Sequence, residues 1–240
     1  MNQVSSKSGL KQGIIDGLPL LGGYIPVAIS FGVIAIQAGF STLEATLISV
    51  FIYAGASQFL LVAMVASGAP LWLAVCMTLL VNIRHVVYAP NLVPYLPQSR
   101  AWPYLMHGLT DQIFALAHTR LPCMEDAKKV DWFKGVSIVA WFSWILGTAL
   151  GGLAGDSLTQ KWPVLDSVMP FALPALFLVL LAPKFTNKQW VVTLLVTIST
   201  ALFIALSSFK NAAIPLAALF GALTFYVLTS HAGRKPSHAN

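Results

Sequence analysis

Seven apolar runs, each long enough to cross a bilayer as a helix, take up most of this chain: about residues 14–38, 42–67, 70–93, 133–154, 166–183, 189–208 and 212–230. A helix needs about 20 apolar residues to span the hydrocarbon. Charged residues make up 9% of the 240, against about 25% in a soluble domain. So few charges cannot cover a globule of this size, and lipid is the expected solvent. The expectation is an all-α polytopic membrane protein, a single transmembrane domain over residues 1–240 with a short cytoplasmic tail at 231–240. The net charge of +6 then needs no nucleic-acid partner, because basic loops set the orientation of such proteins. Lys7 and Lys11 precede the first run as in a signal peptide. That run, however, carries Asp16 and several Gly and Pro residues without a clear cleavage site, and reads as a retained span.

An eighth run, residues 101–119, contains His107, Asp111, Gln112 and His118. If it crosses and the N-terminus is cytoplasmic, ten of the 14 Lys and Arg fall inside, three fall outside, and Arg84 lies within a span. Without that crossing the better division is nine against four. Eight spans with both termini inside is the better reading. Trp72, Trp102, Trp132, Trp162 and Trp190 each fall near a span start, at the interface depth that indole prefers. The segment from Arg120 to Lys134 reads as the one substantial soluble loop.

Pro19, Gly22, Gly23 and Pro26 fall within eight residues of the first span, and Pro170 and Pro174 within the sixth. Proline removes a backbone donor and clashes with the preceding turn, so both spans are expected to be broken. Breaks at membrane depth are tolerated where they face protein or a polar cavity. The bland alternatives are a simple kink or a small-residue packing face. Spans one and six run in opposite senses and each opens a three-span group, the sequence hint of an inverted repeat.

Depth can be counted along helices at about 1.5 Å per residue. Arg84 lies 13 residues before the turn at Pro97, Asp111 lies 14 after it, and Pro26 is 14 from the turn at Phe40. Gln58 lies somewhat deeper. These groups converge on the middle of the membrane. An arginine there costs about 3 kcal/mol and needs an anion. Asp111 is the candidate, either as a structural ion pair or as one that a substrate carboxylate competes for. Asn82 and His85 share a helix face that Arg84 does not. His107, Asp111 and His118 would share a stripe on span four, where imidazoles beside a carboxylate can hand on protons.

The stretches "GLPLLGGYIPVAISFG", "YAGASQF", "VNIRHVVY" and "LTDQIFAL" resemble the AzlC family, and within it the YgaZ-like large subunits of bacterial branched-chain amino acid exporters. The resemblance covers roughly residues 13–117. It implies an inner-membrane permease that works with a small AzlD/YgaH-type membrane subunit and exports valine and similar amino acids, coupled to the proton gradient. Where that pattern often has Glu after Thr-Asp, this chain has Gln112, which leaves Asp111 alone to carry negative charge.

The substrate-binding candidates are accordingly Tyr24, Pro26, Gln58, Asn82, Arg84 and Asp111, and the proton-coupling candidates Asp111, His85 and His107. The substrate carboxylate would meet Arg84 or N–H groups freed near Tyr24–Val27. Apolar side-chain space is available from Phe31, Phe51, Phe59, Met64 and Phe114. Nothing in the spacing of Cys76, Cys123 or the histidines suggests a metal or cofactor. An intramembrane hydrolase using Ser57 and His85 lacks a nucleophile elbow, and a passive channel would need several weak sites in line.

Overall fold

The computed structural model describes residues 2–97, 102–172, 174–175, 178, 182–206 and 213–232. Arg100, Lys210, most of the tail and parts of the sixth span, which figured in the topology above, lie outside the described residues. Helices dominate, and no strand occurs among the described residues. They form two compact units, Met1–Leu176 and Phe177–Asn240.

In the first unit the helices are α1 (Asn2–Gln37), α2 (Thr42–Phe51), α3 (Gly55–Ala66), α4 (Leu71–Asn82), α5 (Arg84–Leu92), α6 (Trp102–His107), α7 (Asp111–Arg120), α8 (Asp126–Lys161) and α9 (Val164–Val168). The second unit pairs α10 (Lys188–Ala205) with α11 (Ala213–Ala232). Among the described residues, four helical stretches are long and apolar enough to cross a membrane: Gly9–Gln37, Leu71–Tyr95, Asp126–Gly155 and Lys188–Ala205. The span expected at 42–67 is two shorter helices, α2 and α3.

The backbone of the first unit is the α1–α8 pair, each helix 36 residues long. At about 1.5 Å per residue each is longer than the roughly 30 Å hydrocarbon layer and projects beyond it. Two glycines show how closely they pack. A Cβ on Gly13 would strike the Trp132 carbonyl, and one on Gly151 the Ile29 carbonyl. Small residues let membrane helices approach in this way. Gly13 lies opposite Trp132, and Ile29 opposite Gly151, so the two helices run parallel. A parallel pair requires an odd number of crossings between them. Asp16 ties the same pair near one end, accepting from Trp132 Nε1 at 2.9 Å and facing Arg120 Nη2 at 3.7 Å.

Two expectations are corrected here. Helix α1 passes through Pro19 and Pro26 without a break. Pro26 lies on its exposed side, and a side chain on Gly22, one turn earlier, would meet nothing within 4 Å, so the proline ring has room. The soluble loop expected from Arg120 to Lys134 is also mostly helix, because α8 already begins at Asp126. The break expected in span six is present at Pro170, in a 3-10 turn at Met169–Phe171. There Ser30 Oγ donates to the Met169 carbonyl at 2.5 Å.

The other breaks fall where no proline marks them. Tyr53 adopts a left-handed backbone (φ 38°) between α2 and α3, a conformation costly for a bulky residue. The small residues of Ala54-Gly55-Ala56-Ser57 follow, and Ser57 Oγ donates to the Ala54 carbonyl at 2.8 Å. Between α4 and α5 the bonding tightens to i→i−3, from Ile83 N to Leu80 O and from Val86 N to Ile83 O. Between α6 and α7, Gly108 is pressed against Ser137. Thr110 then restarts the helix, its hydroxyl accepting from Ile113 N at 3.3 Å. At the far turn Ser41 and Glu44 form a capping box that starts α2.

Candidate functional site

The three breaks meet at one level. Arg84, the first residue of α5, places Nη1 3.0 Å from Asp111 Oδ2 at the start of α7. Tyr88, one turn after Arg84, donates its hydroxyl to Asp111 Oδ1 at 2.5 Å. Both carboxylate oxygens are thus engaged, one by a cation and one by a phenol. The ring of Phe114 stacks on Tyr88 with centroids 4.5 Å apart.

Two polar atoms beside this pair have no partner. Arg84 Nε is buried and makes no hydrogen bond, and neither does the buried Asn82 Oδ1. Leaving a buried donor or acceptor unmet costs about 1–3 kcal/mol each, so such atoms call for an explanation. Asn82 also lines a hollow of about 270 Å³ whose other walls are Phe51, Ile52, Leu61, Val75, Thr78 and Leu79. One unpaired donor and one unpaired acceptor therefore belong to residues two apart in sequence, and the acceptor's residue borders an apolar space.

His85 sits between the breaks. Its Nδ1 is 2.9 Å from the Asn82 carbonyl and its Nε2 3.1 Å from the Leu109 carbonyl.

The remaining candidates divide. Tyr24 is buried and its hydroxyl meets Thr110 Oγ1 at 2.5 Å and Gln112 Oε1 at 3.1 Å, which ties α1 to the start of α7. Gln58 is buried in a separate network: it donates to Ser49 Oγ at 3.0 Å and accepts from Trp144 Nε1 at 2.9 Å. Ser49 in turn meets Thr148 at 2.8 Å. Both ends of that amide are engaged within the protein, and it braces α2 and α3 against α8. Pro26 is exposed and frees no N–H groups around Tyr24–Val27, so it does not join the cluster. The stripe expected for His107, Asp111 and His118 is interrupted at residues 108–110. His107 ends α6 and its Nε2 meets the Val50 carbonyl at 3.1 Å. His118 is exposed and packs against Tyr95 and Phe114. Phe31 and Phe59 pack on each other in a core cluster, while Phe51 lines the hollow. Ser57 and His85, the conceivable hydrolase pair, each have other partners. Among the described residues no group of His, Cys, Asp or Glu could hold a metal.

Sequence reasoning passed over Tyr88, Thr110 and Tyr53. Tyr88 was accessible to it, since a residue four positions after Arg84 shares its helix face. Thr110 preceding an aspartate at a helix start is an N-cap signal. Nothing in the sequence marks Tyr53 as left-handed.

No solved structure matches the chain. The inner membrane protein YgaZ of Escherichia coli K12 is 39% identical over 216 residues, covering 88% of this chain and 85% of its own length. An uncharacterized membrane protein of Archaeoglobus fulgidus is 34% identical, covering 79% of this chain and 82% of its own. The branched-chain amino acid transport protein AzlC of Bacillus subtilis is 26% identical over 175 residues, covering 72% of this chain and 66% of its own. The family model described as AzlC protein matches residues 19–158, the stretch that carries the second half of α1, helices α2 to α7 and most of α8, and so this chain is a polytopic membrane protein that belongs to the AzlC family.

Proposed function

We propose that this chain is the large subunit of a secondary transporter that exports branched-chain or related apolar amino acids, valine-like in size, across a bacterial inner membrane. It uses the proton gradient and works with a small AzlD/YgaH-type membrane subunit. The Bacillus relative is named for branched-chain amino acid transport, and the Escherichia relative for the inner membrane, which supports the class and the place. The parallel α1–α8 pair supports eight spans, since three crossings between them satisfy its parity.

The observation that carries the substrate reading is the pair of unpartnered atoms at the α4–α5 break. A zwitterionic amino acid offers what they lack: its carboxylate accepts from Arg84 Nε and its ammonium donates to Asn82 Oδ1. The apolar hollow beside Asn82 takes a short branched side chain. Asp111 and Tyr88 hold the guanidinium in place while it binds. Asp111, His85 and His107 are the titratable groups near enough to couple protons. The three broken spans, rather than the first, would provide the gating movement of alternating access.

A passive channel or a non-catalytic scaffold subunit is the other reading, but one clustered mid-depth site suits a carrier better than a row of weak sites does. The test is counterflow of labelled valine, leucine, methionine and alanine in proteoliposomes, with and without the small subunit. Saturable exchange of the branched substrates supports the proposal; non-saturable flux, or none under either condition, rejects it.

A further inference from the structure

We propose that His85 is a proton-operated clamp: protonated, it holds the α4–α5 break against the α6–α7 break, and neutral, it releases one of them. The inference deepens the proton-coupled transport reading and rests on it for its physiological meaning, though not for its test. Both ring nitrogens of His85 face carbonyl oxygens, Asn82 O at 2.9 Å and Leu109 O at 3.1 Å. A carbonyl only accepts. A neutral imidazole has one N–H and one lone pair, so it can satisfy one of these contacts and must turn a lone pair on the other; an imidazolium donates to both. The geometry is therefore that of the charged ring.

The two carbonyls are not arbitrary. Asn82 is the last residue of α4 and Leu109 lies in the gap between α6 and α7. Carbonyls at a helix end lack their helical donors, and in lipid each must find another. One proton on His85 meets the needs of two breaks at once. Its loss leaves one carbonyl unpaired, and the break to which that carbonyl belongs is then free to move.

The charged and titratable groups on the elements flanking the ring are Arg84 and Tyr88 of α5, Asp111 of α7 and His107 of α6. Tyr88 lies edge-on to His85 with centroids 5.7 Å apart. Arg84 and Asp111 pair with each other, and Tyr88 gives its hydroxyl to Asp111. None of them occupies either nitrogen of His85, whose hydrogen-bond partners are the two carbonyls; the proton that the ring loses passes to water.

The experiment follows the purified full chain in lipid nanodiscs by NMR, with 15N in the histidine rings and 13C at the carbonyls of Asn82 and Leu109, across pH 5 to 9. The expected result is a doubly protonated ring at the acidic end. Its loss on raising the pH should coincide with a step in one or both carbonyl signals. In His85→Gln, which keeps one amide donor and cannot titrate, the ring signal and the carbonyl step should both vanish. In counterflow the same variant should lose the pH dependence of exchange. A His85 ring that stays neutral down to pH 5, or carbonyl signals that ignore its titration, overturns the clamp. If the NMR steps appear but valine does not exchange, the clamp stands and the transport reading falls. If the steps appear and His85→Gln keeps the wild-type pH profile of exchange, the clamp plays no part in gating and that part of the proposal is overturned.

Discussion

Helices α1 and α8 and the three broken spans beside them solve the membrane problem in opposite ways. The long pair stays helical along 36 residues each, short only of the donors that Pro19 and Pro26 lack, and gains cohesion by bringing backbones together at glycine. The α2–α3, α4–α5 and α6–α7 segments give up helical bonds at their breaks and recover them with side chains: Ser57, His85 and Thr110 each serve a backbone group there. The difference separates a scaffold from a site. An unbroken helix shows the membrane no polar backbone and therefore binds little; a broken one leaves donors and acceptors for side chains, protons or a ligand.

The sharpest way to break this comparison is to disturb the scaffold. Gly13→Leu must push the Trp132 backbone aside, and overpacking of this kind costs about 3 kcal/mol. The folded yield in mild detergent and the thermal midpoint should both collapse. Gly22→Ala, facing open space, should change neither; equal damage from the two would mean that the glycine face is not what joins α1 to α8.

Next in size is Asp111→Asn. It leaves the guanidinium of Arg84 without its anion while preserving shape. Breaking a buried pair costs about 3–5 kcal/mol, discounted here because the arginine side chain is 26% exposed. The variant should insert into the membrane normally yet show no pH-driven transport in vesicles. Retention of pH-dependent flux would remove Asp111 from the mechanism.

Tyr88→Phe is milder. It removes a hydrogen bond to a charged group, worth about 1.5–3 kcal/mol, and leaves the ion pair in place. Valine exchange should fall roughly tenfold with unaltered yield. The smallest effect belongs to Pro26→Ala, on the exposed face of an unbroken helix. Stability and exchange should both stay near wild type. Loss of exchange in this variant would return the site to span one.

What the sequence disclosed and what it hid follow from the range of each signal. The level of Arg84 and Asp111 came from counting residues to the turn at Pro97, which needs only the helical rise, and the two side chains do meet at 3.0 Å. The membrane class needed only hydropathy. The position of the breaks was misjudged at span one because proline there costs one backbone bond, which an exposed helix face with Gly22 behind it absorbs. The breaks at Tyr53, Ile83 and Gly108 arise from tertiary packing and backbone strain, which a local pattern does not carry. Gln58 reads from sequence as one more polar group at the site, and only its neighbours Ser49 and Trp144 reveal it as a brace. Asn82 and Arg84 were read as facing different ways around one helix. The change to i→i−3 bonding at Ile83 lets both stand at a single break.

The account turns on whether the vacant donor of Arg84 serves a substrate carboxylate, and Arg84→Lys tests this most directly. Lysine keeps the positive charge for Asp111 but has no Nε–H. Binding of labelled valine to the purified, correctly folded variant should weaken by about tenfold or more, the factor a lost charge-assisted hydrogen bond gives. Valine affinity equal to wild type, with the charge pair intact, would contradict the account.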